Sequence, residues 1–238
     1  MNGKPSENSV QDRYRVLVGN GGSTGRLETF SDGVFAIAIT LLILDIGVPD
    51  VPRAQLAEAL AELAPKYFAY VLSFAVIAIS WIGHHRRFEL IGGRSQGFVR
   101  VNLLLLLLIA FVPFPTAVLS EYGSQTEAVV LYAATVSAIS GVNGLLWVVA
   151  RRAGILVPEV DRGVYRYVRR NILVTCVVFA VSIGIALLGQ PLLAMYSWIL
   201  NWPASVIAER STRLRSGDLE PANAVPRIRT PGRSPEGP

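Results

Sequence analysis

Residues 26–45 read RLETFSDGVFAIAITLLILD, an apolar run of membrane-helix length that opens with charged and polar residues. An α-helix of about 20 residues spans a hydrocarbon layer of about 30 Å. Asp32 falls inside this helix, where an unpaired carboxylate costs up to about 3 kcal/mol on insertion scales. The carboxylate therefore needs a polar partner at the same depth on another helix. Candidates near the ends of later apolar runs are Trp81, His84 and Asn102.

The same run also carries an apolar stripe. Ile37, Leu41 and Leu44 recur at i, i+4 and i+7 and share one helix face, with Thr40 beside them. Asp32 precedes Ile37 by five residues, which at about 100° per residue places it about 140° from the stripe. Such a stripe is also typical of a face that contacts lipid or packs in a bundle. The polar cluster before it is equally compatible with an ordinary helix N-cap.

The composition of the whole chain indicates an integral membrane protein. Of the 238 residues, 52% are hydrophobic and only 16% are charged, against about 25% charged residues in soluble domains. The single cysteine, Cys176, excludes a disulfide framework or a cysteine-based metal site within one chain. We predict six membrane-spanning helices, at residues 28–48, 67–84, 101–119, 128–150, 171–189 and 191–208.

Three local patterns predict structure around these spans. Leucines at helical spacing in residues 53–66 predict a short helix on the outer membrane surface. Pro113 and Pro115 are expected to kink or end the third span. Asn143 lies between two nearby glycines in the fourth span and is expected to form an interhelical hydrogen bond at a close helix contact.

Lysine and arginine are sorted by loop. All but two of the 22 lie in the N-terminal tail, the loops after the second and fourth spans, or the C-terminal tail; the exceptions are Arg53 and Lys66. The positive-inside rule predicts a multi-pass cell-membrane protein with both termini in the cytoplasm. The same sorting explains the net charge of +5 without a nucleic-acid partner, because the cations are scattered over loops and form no stripe with aromatic residues.

The two ends of the chain differ from the apolar part. Residues 1–25 are polar and contain no apolar segment of a signal peptide, and residues 209–238 are rich in Pro, Arg, Gly and Ser. Such sequences bury too little apolar surface to fold. We therefore predict disordered cytoplasmic tails at 1–25 and 209–238, on either side of a six-helix transmembrane domain at 26–208.

Seven residues in the first three spans resemble a family signature. They are Arg26, Phe30, Ser31, Asp32, Trp81, His84 and Asn102. The first four spell R-x-x-x-F-S-D, which resembles the signature of the transmembrane protein 175 family of potassium channels, in its bacterial branch. The other three are similar to the Trp-x-x-His and Asn positions of that family. The run AIAITLLILD after the motif and PFPT at 113–116 are similar too, whereas the later spans resemble the family only in number.

The resemblance implies an all-α channel subunit with six transmembrane helices. Four copies would surround a central pore lined by the first helix, since 238 residues hold one six-helix repeat. By position after the motif, the hydrophobic constriction of the family falls on Ile37, with Leu41 and Leu44 as further apolar rings. Thr40 matches a hydroxyl layer with a part in selectivity. The seven signature residues would join the first helix to its neighbours and would not line the pore.

The resemblance also implies potassium as the permeant ion, with no cofactor and no other metal. The chain lacks a Thr-Val-Gly-Tyr-Gly loop, so it has no carbonyl filter of the usual kind. A ring of Ile37 side chains can gate by dewetting, and it favours the cation that is easier to dehydrate, potassium over sodium. We expect modest selectivity, and the sequence leaves proton permeation open. The partners are other copies of the chain and the lipid bilayer.

Three other classes of function fit the sequence less well. A secondary transporter or proton-coupled carrier using Asp32 and His84 would favour broken helices and ionisable groups at the midplane, which spans two to six lack. A membrane enzyme with an interfacial metal site would need His84 and His85 together, but adjacent helical residues point about 100° apart. A purely structural role is the third alternative. We therefore expect a channel and not an enzyme.

Overall fold

Residues 24–199, the part of the chain that the computed structural model describes, form helices joined by short loops. The first helix, α1, covers Gly25–Leu41 and continues as a 3₁₀ turn over Leu42–Asp45. A second 3₁₀ turn covers Arg53–Gln55. The other helices are α2 (Leu56–Glu62), α3 (Ala64–Phe88), α4 (Gln96–Phe111), α5 (Pro113–Tyr122), α6 (Thr126–Arg152), α7 (Arg162–Leu187) and α8 (Pro191–Ile199).

Five segments of the described residues are long and apolar enough to cross a membrane. They are Gly25–Asp45, Ala64–Phe88, Gln96–Tyr122, Thr126–Arg152 and Arg162–Leu187. The first five predicted spans are thus confirmed as helices, but the fifth helix begins at Arg162, nine residues before the predicted start. Hydropathy marks only the apolar part of a helix, whereas Asp161 caps this one by accepting a hydrogen bond from the Val164 backbone N–H at 2.7 Å.

The ends of the chain leave some predictions open. Helix α8 covers the first nine residues of the predicted sixth span, and residues 200–208 lie outside the described part, so the count of six stays a prediction. The predicted disordered tails also lie outside it, except that Thr24 and Gly25 are described and Gly25 begins α1.

The three local patterns have counterparts in the structure. Pro113, which has no N–H to donate, begins α5 two residues after α4 ends at Phe111, within the third span. The predicted surface helix is shorter than residues 53–66, consisting of one 3₁₀ turn and the seven residues of α2. Asn143 of α6 accepts a hydrogen bond from Arg87 of α3 at 2.6 Å, which confirms the expected interhelical bond.

Helix α1 lies at one side of the bundle. It packs against α3 and α4, while α6 contacts α4, α5, α7 and α8. An apolar core that includes Phe35, Ile77 and Leu105 joins α1, α3, α4 and α6. A second core, including Tyr132 and Phe179, joins α6 to the later helices. Because only one side of α1 meets the bundle, the rest of its surface is left to other contacts.

Candidate pore helix and its two anchors

One face of α1 is buried in the bundle. Ser31, Phe35, Ala38 and Leu42 are each at most 2% exposed and recur at steps of four, three and four residues. This spacing is that of a single helical stripe. The three apolar members belong to the core shared with α3 and α4. The buried stripe therefore sets the rotation of α1 about its own axis.

The residues expected to line a pore lie on the uncovered side of α1. Ile37, Leu41 and Leu44 are 61%, 43% and 73% exposed. Thr40 is exposed as well, and its hydroxyl donates to the Ile37 carbonyl oxygen at 2.9 Å. The proton of this hydroxyl is thus directed at the helix backbone. What the Thr40 side chain can present to its surroundings is an oxygen lone pair.

The end of this helix departs from the α-helical geometry assumed from the sequence. Leu42–Asp45 form a 3₁₀ turn, in which residues three apart lie in line. In an α-helix, Leu44 would be rotated about 60° from Leu41. The tighter turn brings Leu44 closer to the line of Leu41. It thereby straightens the apolar stripe at its end.

Near the start of α1, a buried chain of hydrogen bonds joins three helices. Asn102 of α4 donates from its Nδ2 to Ser31 Oγ at 3.0 Å, and Ser31 donates to the Leu27 carbonyl oxygen at 2.8 Å. The amide oxygen of Asn102 therefore faces His84 of α3, whose Nε2 donates to it at 2.9 Å. The side chains of Ser31, His84 and Asn102 are fully buried. His84 also lies between the rings of Phe35 and Phe88.

Asp32 has a different partner from its neighbour Ser31. Trp81 donates from its indole Nε1 to Asp32 Oδ1 at 2.8 Å, at a partly exposed position. Of the three partners expected for Asp32 only Trp81 bonds it, because His84 and Asn102 face Ser31 instead. The Trp81 ring stacks on His85, whose Nδ1 lies 3.2 Å from Glu28 Oε1. We call Ser31, Asp32, Trp81, His84 and Asn102 the motif anchor.

Two residues of the R-x-x-x-F-S-D motif lie apart from this anchor. Arg26 and Phe30 are exposed on the first turns of α1. Within residues 24–199, neither side chain is hydrogen-bonded to the motif anchor. Both side chains are therefore accessible to residues beyond 24–199 or to another molecule.

A second polar cluster holds the other end of the first helix. Ser120 of α5 donates to Asp45 Oδ2 at 2.7 Å, and Lys66 of α3 donates to the Asp45 carbonyl oxygen at 3.5 Å. Lys66 also pairs with Glu121 at 2.5 Å. We call Asp45, Lys66, Ser120 and Glu121 the Asp45 anchor. No pattern in the sequence brings these four residues together.

One further difference concerns Arg87. Hydropathy predicts that it lies in the loop after the second span, whereas it lies in the last turn of α3 and donates to Asn143. No group of three or more His, Cys, Asp or Glu side chains that could hold a metal ion occurs within residues 24–199.

Comparison with known proteins places these features in a family. A Chamaesiphon minutus protein named as a potassium channel is 47% identical over 146 residues, which cover 58% of this chain and 72% of that protein. The chain belongs to the TMEM175 family. The family model described as endosomal/lysosomal potassium channel TMEM175 matches residues 26–113. The residues of this chain that match the TMEM175 model contain both stripes of α1, the whole motif anchor and two of the four members of the Asp45 anchor.

Solved and animal members of the TMEM175 family resemble the chain to different extents. The crystal structure of a lysosomal potassium-selective channel TMEM175 homologue from Chamaesiphon minutus is 39% identical, with a TM-score of 0.55. The match covers 75% of this chain and 97% of that one. A Gallus gallus protein named as an endosomal/lysosomal proton channel TMEM175 is 39% identical over 115 residues, which are 44% of this chain and 23% of that protein.

Proposed function

We propose that this TMEM175-family chain forms a potassium channel in which the first helices of four copies line a central pore. One observation carries the proposal: Ile37, Leu41 and Leu44 stay exposed on α1 while the opposite face is held by a buried stripe and by anchors at both ends. A helix that is held at both ends and still exposes an apolar face is suited to packing against the same helix of other copies around a symmetry axis. The choice of potassium as the permeant ion rests on the names of the bacterial relatives.

In this proposal, Ile37 forms the constriction and Leu41 and Leu44 form apolar rings beside it. Apolar rings exclude water when they are narrow, and so oppose every hydrated ion. Potassium loses its water at lower cost than sodium, which favours modest potassium selectivity. Thr40 would contribute an oxygen lone pair next to the constriction, since its proton is used by the Ile37 carbonyl oxygen. No cofactor and no catalytic residue is needed for conduction.

The rest of the chain would support this pore. The seven signature residues Arg26, Phe30, Ser31, Asp32, Trp81, His84 and Asn102 would stay away from the axis, the motif anchor holding α1 to α3 and α4. Exposed Arg26 and Phe30 would contact a neighbouring copy. We further propose six spans within residues 26–208, cytoplasmic tails at both ends, and a place in the cell membrane. The cytoplasmic placement of the tails follows from the loop distribution of lysine and arginine.

A matched pair of variants tests the pore. Ile37→Asn replaces apolar side chains of the ring with amides that hydrate a passing cation, so potassium selectivity should weaken while conduction persists or rises. Val177→Asn places the same amide on α7 at a position of similar exposure. Reversal potentials in mixed potassium and sodium, measured on purified protein in liposomes, compare the two. Unchanged selectivity in a well-folded Ile37→Asn protein would remove Ile37 from the constriction.

Crosslinking tests the arrangement of copies. In a Cys176→Ala background, which removes the native thiol, a cysteine at Ile37 should crosslink between subunits far more readily than a cysteine at Val177. The reason is that only α1 would approach the axis. Covalent dimers are counted on a denaturing gel after mild oxidation. Equal yields from the two positions would place the axis elsewhere.

A proton-coupled carrier is the second candidate function, because a relative carries the name of a proton channel. The same liposomes, loaded with a pH-sensitive dye, separate the possibilities. A channel passes potassium down its gradient when the pH is equal on both sides. A proton-coupled carrier built on Asp32 and His84 would move potassium only together with a measurable change in internal pH.

A further inference from the structure

A cavity of about 250 Å³ lies where the end of α6 meets the start of α7, away from the pore helix. One wall is the loop of residues 153–161. This loop is held in place by the loop after α3, because Val157 N–H donates to the Leu90 carbonyl oxygen at 3.1 Å and Gly92 N–H to the Ile155 carbonyl oxygen at 2.9 Å. The cavity is therefore lined by one loop, which a second loop holds in place, and by two helix ends.

Two arginines line this cavity from different helices. The Arg151 guanidinium carbon lies 4.2 Å from the centre of the Tyr165 ring, which is a cation–π contact. Tyr165 is itself stacked on Trp147. Arg162 is the first residue of α7. Within residues 24–199, no carboxylate lies within ion-pair distance of either guanidinium.

The acid that lines the cavity is already engaged. Asp161 accepts the Val164 N–H as the cap of α7, so its charge is directed at the helix backbone. Among residues 24–199, the lining thus holds two arginines without a carboxylate partner and one capping anion, and it is walled in part by apolar residues such as Leu156 and Val157. A ligand that fits would carry negative charge on several oxygens and tolerate an apolar wall.

We propose that this cavity binds a phosphate-bearing group, held by the guanidinium groups of Arg151 and Arg162. Guanidinium groups bind phosphate oxygens in bidentate geometry, and a pair of them can hold one phosphate from two sides. The cavity lies at the polar ends of two spans, where the headgroups of lipids are found. The headgroup of an anionic lipid and free phosphate share this chemistry.

Binding is measured by thermal stability, which does not depend on ion conduction. The purified full-length protein in detergent is titrated with phosphatidylglycerol, with phosphatidylcholine, or with inorganic phosphate, and the unfolding midpoint is followed by tryptophan fluorescence. We expect phosphatidylglycerol to raise the midpoint, and phosphatidylcholine, whose phosphate charge is balanced by its choline cation, to raise it less. A shift caused by inorganic phosphate as well would identify free phosphate as a source.

Paired variants locate the binding. Arg151→Gln and Arg162→Gln should each raise the concentration for half-maximal shift about tenfold, because a charge-assisted hydrogen bond is lost. The controls Arg152→Gln and Arg169→Gln remove exposed arginines of the same two helices outside the cavity. They should leave the concentration for half-maximal shift unchanged. Arg151→Lys keeps the charge and should retain part of the affinity. The proposal would be overturned if all variants gave the same half-maximal concentration, or if neither phosphatidylglycerol nor inorganic phosphate shifted the midpoint.

Discussion

The two anchors of the first helix differ in their surroundings, although both join α1 to α3 and to the third span. In the motif anchor, Ser31, His84 and Asn102 are fully buried and form one directed chain of hydrogen bonds. In the Asp45 anchor, the side chains of Lys66 and Glu121 are 25% and 53% exposed. Water can replace a lost partner of Lys66 or Glu121 but not one within the buried chain of Ser31, Asn102 and His84. The two ends should therefore respond very differently to the same kind of mutation.

The largest effect is expected inside the motif anchor. Asn102→Leu keeps the size of the side chain but leaves His84 Nε2 buried without an acceptor, so the free energy of unfolding should fall by about 2–4 kcal/mol. Thermal unfolding in detergent measures this loss. The control is Leu104→Ala, at an exposed position of the same helix. Adding His84→Phe removes the unpaired donor and should restore part of the stability; a double variant less stable than Asn102→Leu would contradict the account.

A smaller effect is expected at Asp32, which is partly exposed. Asp32→Ala removes the acceptor of the Trp81 indole and should lower the free energy of unfolding by about 1 kcal/mol. Asp32→Asn keeps an acceptor oxygen and should recover most of this. Since Asp32 lies on the side away from Ile37, the ion preference of the assembled protein should change little. Reversal potentials that shift in Asp32→Ala as much as in Ile37→Asn would show that the two faces are not independent.

The smallest effect is expected at the Asp45 anchor. Lys66→Met breaks a partly exposed ion pair, so the unfolding free energy should change by less than about 1 kcal/mol. The difference from wild type should shrink further as salt is added, because salt screens exposed charges. The loss in Asn102→Leu should be insensitive to salt. Unfolding curves of both variants at low and high potassium chloride compare the anchors, and an equal salt dependence would remove the distinction between them.

Several features of the site were predictable because they depend on local spacing. The opposition of Ile37 and Asp32 follows from their five-residue separation on one helix. A common membrane depth could be predicted for Trp81, His84 and Asn102. The end of the second apolar run and the start of the third lie on the same side of the membrane. Polar side chains at that depth are removed from water, so each was expected to need a hydrogen-bond partner.

Other features left no signal in the sequence. Ser120 and Glu121 are distant from Asp45 in the chain, and no periodic pattern links them. Arg87 ends an apolar window, so hydropathy assigned it to a loop. Its hydrogen bond to Asn143 depends on how a neighbouring helix packs against α3. The 3₁₀ turn after Leu41 likewise has no marker among its apolar residues.

The sequence by itself determined the five confirmed membrane spans and the two faces of the first helix. Both follow from local rules, the length of an apolar run and the 3.6-residue period. The tertiary structure alone decided that Trp81 bonds Asp32 while Asn102 and His84 bond Ser31. Several groups of similar polarity lie at the same depth, and which of them meet depends on how each helix is rotated and packed. Those rotations are set by the buried apolar stripes of all the helices together, so no single segment contains them.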